Sequence, residues 1–91
     1  MSYPNTIEQN GKTLGRISHL RIRRGAEKAE VIFELDNQAA KAVDTSLPST
    51  LIDAAGRRHK VQLFKVFFSE WAFRANGTVI ETKEAEDEKS D

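Results

Sequence analysis

The sequence predicts a mainly β domain, a small antiparallel barrel or sandwich-like sheet of six to seven strands with one short helix. Three observations predict it. Short runs of alternating or apolar residues follow one another along most of the chain. Turn dipeptides, Asn10-Gly11 and Asn76-Gly77, stand between such runs. The stretch Val61 to Phe68 is apolar on both faces of an extended chain, with Val61, Leu63 and Phe67 on one and Phe64, Val66 and Phe68 on the other. Such a strand asks for cover on both sides and a central place. An α+β open sheet carrying the helix on one face is the rival arrangement.

Taken in order, Thr6–Gln9 and the run from Lys12 form a hairpin around Asn10-Gly11, because a two-residue type I′ turn needs positive φ at both central positions. This turn sets Ile7 opposite Leu14. The second strand runs on through Ile17, Leu20 and Ile22 with imperfect parity, which a bulge or bend near Gly15 or Ser18 would repair. Arg23 to Lys28 is a polar loop. From Ala29, the residues Val31, Phe33 and Leu35 alternate with Glu30, Ile32 and Glu34 as a half-buried strand. Gln38 to Val43 is alanine-rich and follows Asp36-Asn37, either of which can cap a helix of about two turns. Pro48 closes it. Leu51-Ile52 is a short strand, and residues 53–58 turn the chain into the central one. Ser69-Glu70 interrupts the aromatic run as a corner. A last hairpin around Asn76-Gly77 sets Phe73 against Ile80.

Ninety-one residues make one domain, expected over 1–82, with 83–91 as a disordered acidic tail. The absence of cysteine excludes disulfides, thiolate metal sites and a cysteine nucleophile, and it suits a cytoplasmic location. The amino terminus lacks the basic-then-apolar pattern of a signal peptide, and no apolar run is long enough to span a membrane. Net charge is zero but split. Residues 81–91 hold six acids against two lysines, and residues 1–80 hold twelve basic residues against eight acids. A body of net +4 therefore carries a tail of net −4.

Catalytic signals are weak. His19 lies mid-strand beside Ser18, and adjacent strand residues point to opposite faces, so the two cannot act as base and nucleophile. His59 sits in the basic run Arg57-Arg58-His59-Lys60, which suits a solvated turn. Asp53 and Glu70 have no partner at a motif spacing. No metal set and no phosphate loop stand out, so the expectation is a protein that is not an enzyme and holds no cofactor. The arginines say more. Arg16, Arg21, Arg23 and Arg24 line the second strand, and Arg57, Arg58 and Lys60 cluster at another turn. If the two turns share one end of the sheet, they form a positive patch suited to single-stranded nucleic acid, with Tyr3, Trp71 and Phe73 as candidate stacking platforms. On apolar parity, however, Phe33, Phe64, Phe67 and Phe68 read as core, as do Trp71 and Phe73. Arginines on an exposed strand also protect an edge from unwanted pairing.

The charge layout resembles that of single-stranded DNA-binding proteins that join a basic β-barrel to an acidic C-terminal tip. Those tips usually end in an apolar residue, whereas this chain ends Lys89-Ser90-Asp91. The passage Leu35-Asp36-Asn37-Gln38-Ala39-Ala40-Lys41-Ala42, followed by Leu47-Pro48, resembles a strand–helix–Leu-Pro passage of small bacterial cyclophilin-like domains. The functional expectation is a binding module. Its first reading is nucleic-acid binding through the two basic clusters, with the tail as internal competitor. Its second is a protein-interaction module, an accessory subunit, inhibitor or adaptor, using a strand edge or an aromatic patch that includes Trp71.

Overall fold

The computed structural model describes residues 5–25 and 27–84. Tyr3 and residues 85–91 of the expected tail lie outside the described residues. The chain forms β1 (Thr6–Gln9), β2 (Lys12–Arg24), β3 (Ala29–Leu35), α1 (Asn37–Ala42), β4 (Ser49–Ile52), β5 (Arg58–Ser69) and β6 (Ala72–Lys83). The strands close into an antiparallel barrel in the order β1-β2-β3-β6-β5-β4. The small-barrel expectation holds, with six strands. Because β6 continues to Lys83, the expected boundary after residue 82 falls inside a strand.

Asn10 (φ 54°) and Gly11 (φ 76°) make the expected I′ turn between β1 and β2. The register differs from expectation, since Ile7 pairs with Gly15 and Glu8 with Thr13, leaving Leu14 as an extra residue. A second irregularity sets His19 and Leu20 between the pairs Ser18↔Glu34 and Arg21↔Ile32, with His19 at φ 54°. The two bulges return Leu14, Ile17 and Leu20 to the core side, which explains the broken parity of the sequence. β2 is shared between neighbours, pairing through Arg16 with β1 and from Ile17 with β3.

α1 is too short to hold itself, and Asp36 anchors it. Its Oδ1 accepts from the Ala39 N–H at 2.7 Å, and its Oδ2 accepts from the Arg16 N–H at 3.0 Å. One carboxylate thus caps the helix and fastens it to β2, with Ala39 fully buried beneath. Gln9 does the same for the connector after α1. Its Nε2 donates to the Asp44 carbonyl and the Ser49 hydroxyl, and its Oε1 accepts from the Asp44 N–H.

The last hairpin overturns the sequence expectation. Its turn is Glu70-Trp71, with φ 52° and 69°, closed by the pair Ser69↔Ala72. Asn76-Gly77 lies mid-strand instead, between Ile32 and Val31 of β3 and Lys65 and Leu63 of β5. A turn at Asn76 would end β6 before it could join β3. The observed register pairs β6 on both sides and buries Ala75 against Phe33. Gly77 is needed for close approach, because a Cβ there would lie 2.3 Å from the Gln62 carbonyl oxygen.

β5 is not covered on both faces. Bulges fall at Phe64 and Ile80, since Leu63 pairs with Gly77 but Lys65 with Asn76, and Lys60 with Glu81 but Val61 with Val79. Parity shifts so that Val66 joins Val61 and Leu63 against the core, with Phe68 on the same side. Phe64 and Phe68, expected in the core, are 62% and 56% exposed. Phe33 is the aromatic centre, 1% exposed, ringed by Ile7, Val31, Leu51, Val61 and Leu63.

Candidate interaction surface

The two basic clusters do not merge. Arg21 and Arg23 stand opposite Ile32 and Glu30 of β3, and Arg24 opposite Ala29. Arg58 and Lys60 stand on β5 between β4 and β6. Arg16 is in register with the second group through the row Arg16–Thr6–Ile52–Arg58. β3 and β6 separate Arg23 from β5, about 14 Å across three strand spacings. Carboxylates engage the second cluster. Arg58 Nη2 lies 2.7 Å from Glu8 Oε1, Arg57 Nε lies 3.0 Å from Glu84 Oε1, and Lys60 pairs across strands with Glu81. The turns after β2 and after β4 do share one end of the barrel, but the positive patch anticipated from them is interrupted by acidic side chains.

What the barrel presents outward is a groove across β2, β3, β6 and β5. Three depressions of about 310, 830 and 460 Å³ adjoin. The first two share Arg21 and Ile32, and the last two share Phe64. Arg21, Arg23, Lys28 and Arg74 line them against Glu27, Glu30 and Glu34, so the groove is close to neutral. Its apolar parts are Phe64, Ile32 and the bulged Ile80, all exposed. Two buried polar atoms on the outer side of β6, Arg74 Nε and Asn76 Oδ1, have no hydrogen-bond partner among the described residues.

The end of the β5–β6 hairpin is aromatic. Trp71, expected in the core, is 93% exposed at the turn. Phe68 and Phe73 meet edge to face at 5.0 Å behind it, and Lys65 Nζ lies 5.1 Å from the centre of the Phe67 ring. Arg74 Nη2 braces the turn through Glu70 at 3.2 Å and Glu34 at 3.4 Å.

His59 also departs from expectation. It is 4% exposed rather than solvated. Its Nδ1 lies 3.0 Å from Thr82 Oγ1, and its Nε2 lies 2.9 Å from Asp53 Oδ2. The other Asp53 oxygen accepts from the Ala55 and Arg57 N–H groups. Burial draws the Asp53 carboxyl upward, but the His59 contact and these N–H groups outweigh it, and its pKa lies below the ordinary carboxylate value. The order hydroxyl–imidazole–carboxylate is that of a nucleophilic triad. Here the carboxylate is occupied by its own turn, and none of the three depressions opens onto Thr82. The group pins the β4–β5 turn to the end of β6. His19, by contrast, is exposed, and the expectation that it and Ser18 point apart does not hold, because the bulge at His19 brings its Nδ1 to 3.3 Å from both Ser18 Oγ and Glu34 Oε1.

The chain matches no protein-family model, no curated protein and no solved structure. Among the described residues, no helix is long and apolar enough to cross a membrane, and no three metal-ligating side chains stand together. Two features escaped the sequence reading. The His59–Asp53 pair spans six residues across a turn and matches no motif spacing. The Trp71 turn had one visible signal, the polar break Ser69-Glu70 inside an aromatic run.

Proposed function

We propose that this chain is a non-catalytic binding module that engages a protein partner through the exposed aromatic residues of the β5–β6 hairpin. One observation carries the reading. Trp71 holds its side chain in solvent on a backbone of φ 69°, where a bulky residue is strained and gains nothing from its own fold. Tryptophan is the residue type that most often anchors protein interfaces. No catalytic step and no cofactor enters the reading, and the cysteine-free sequence suits a reducing cytoplasm. The test is a photo-cross-linking amino acid at position 71, compared with one at the exposed Lys12 of the β1–β2 hairpin. Discrete cross-linked proteins at 71 and not at 12 are expected. Equal, diffuse labelling at both positions would refute the reading.

Nucleic-acid binding is the second reading, favoured by Arg21 and Arg23 beside the exposed ring of Phe64 in one groove. The three carboxylates in the same groove count against it. Anisotropy of a labelled single-stranded oligonucleotide, with the full chain and with one ending at Glu84, decides it. Binding that tightens on truncation and falls with salt supports nucleic acid, and no binding at low salt rejects it.

A further inference from the structure

The β5–β6 hairpin has an open edge. β4 pairs with β5 only from Arg58 to Val61. Gln62 is then held through its side chain to the Thr45 carbonyl. From Leu63 to Ser69, β5 has a strand neighbour on the β6 side alone among the described residues. Alternate backbone N–H and C=O groups along such an edge face outward, ready to pair. Natural edges are blunted with charge or proline, yet here Lys65 is the one charge among Phe64, Val66, Phe67 and Phe68.

We propose that the occupant of this edge is a second copy of the chain, with the two β5 strands pairing antiparallel about a two-fold axis at Phe67. The inference rests on the reading of the hairpin as a protein-interaction surface and names its partner. The register comes from parity. Residues opposite each other across a strand pair must share a face. About Phe67, Val66 meets Phe68 of the second copy on the inner face, twice by symmetry, and Phe67 meets its own copy on the outer face. Lys65 falls opposite Ser69. An axis at Val66 would instead set the bulged, outward Phe64 against the inward Phe68, so it fails.

Charge agrees with this register. The exposed Glu70 of one copy comes beside Lys65 of the other, while the two Lys65 residues stay four positions apart, about 13 Å. Past the turn, Trp71 of one copy reaches the level of Leu63 and Phe64 of the other. The most exposed aromatic residues among the described ones, Trp71, Phe64 and Phe68, are thereby covered together. They expose on the order of 450 Å². With the edge backbone, that approaches the roughly 800 Å² per partner of a stable interface. Two-fold pairing of one patch with itself is also the commonest form of association between identical chains.

Sedimentation equilibrium of the full chain from about 5 to about 200 µM is the test, and a monomer–dimer equilibrium is expected. Lys65→Glu sets carboxylates side by side at an exposed position and should raise the dimer Kd at least tenfold. Adding Glu70→Lys should restore it. Amide exchange at Lys65–Ser69 should slow as concentration rises. A chain that stays monomeric throughout, or a dimer indifferent to Lys65→Glu, overturns the proposal. The cross-linker at position 71 separates this proposal from the broader reading. A cross-linked mass of twice the chain supports the second copy. A different protein at 71 overturns the second copy and keeps the hairpin reading, and no discrete product sinks both.

Discussion

Replacing Trp71 with glycine should make the isolated chain more stable, although it deletes the largest side chain in the sequence. At φ 69° Trp71 sits in the left-handed region, which costs a residue with a Cβ about 1–2 kcal/mol. Glycine removes that cost but brings about 0.5–1 kcal/mol of extra chain entropy to be lost on folding. With 93% of the residue in solvent, almost no packing is forfeited. The balance is a gain of about 0.5–1 kcal/mol, and for a domain of this size Tm should rise by roughly 3–6 °C. Glu70 keeps its own positive φ, so the turn type survives.

The assay is thermal unfolding followed by circular dichroism at about 2 µM, low enough to observe the single chain. Trp71→Ala is the control. It removes the indole but keeps a Cβ in the strained backbone, so its Tm should stay within about a degree of the parent. A Tm that falls in Trp71→Gly, or rises equally in Trp71→Ala, would refute the argument, because strain would then not be what the tryptophan carries. Raising the concentration adds a sign test. Where the second copy binds through Trp71, the parent gains stability by mass action and Trp71→Gly loses its advantage.

Two further outcomes rest on contacts within the barrel. Gly77→Ala should destabilise by about 3 kcal/mol or more, read as a lowered urea midpoint, because its Cβ would meet backbone rather than a movable side chain. Asp53→Asn should lower stability near neutral pH and lose that effect in acid. The folded Asp53 pKa is depressed, so its contribution is complete above about pH 5 and fades as pH falls through the folded value. Urea midpoints of parent and variant should therefore converge near pH 2, and a constant gap across pH would reject the assignment.

Much of the barrel was legible because local chemistry and fold agree there. Asn10-Gly11 satisfies a turn, Asp36 satisfies a helix start, and Val31, Phe33 and Leu35 alternate as a half-buried strand should. The two bulges of β2 showed in the sequence as broken parity near Gly15 and Ser18, beside the Leu14 and His19 where they fall. Those at Phe64 and Ile80 were not legible, because no residue type signals them and each reverses the parity of the strand residues after it. The buried His59 was hidden for a related reason. Three cations adjoin it in sequence, while Asp53 and Thr82, the groups that hold it, arrive from a turn and a neighbouring strand.

The last hairpin is the informative disagreement. The chain owns an Asn-Gly pair suited to a I′ turn and buries it mid-strand, and it builds that turn instead from Glu70 and Trp71. Gly77 accounts for half of this, since β5 crosses too close for any side chain. Nothing within the fold accounts for the other half. A turn needing positive φ is easily met by glycine or asparagine, and Trp71 meets it at a cost while touching little of its own chain. A sequence that gives up local preference without a gain in its own packing is giving up stability for something outside itself. The same hairpin leaves Phe64 and Phe68 in water and, among the described residues, seven residues of β5 without a strand neighbour along one edge. One interface along that edge accounts for all three features together, which separate explanations for each would not.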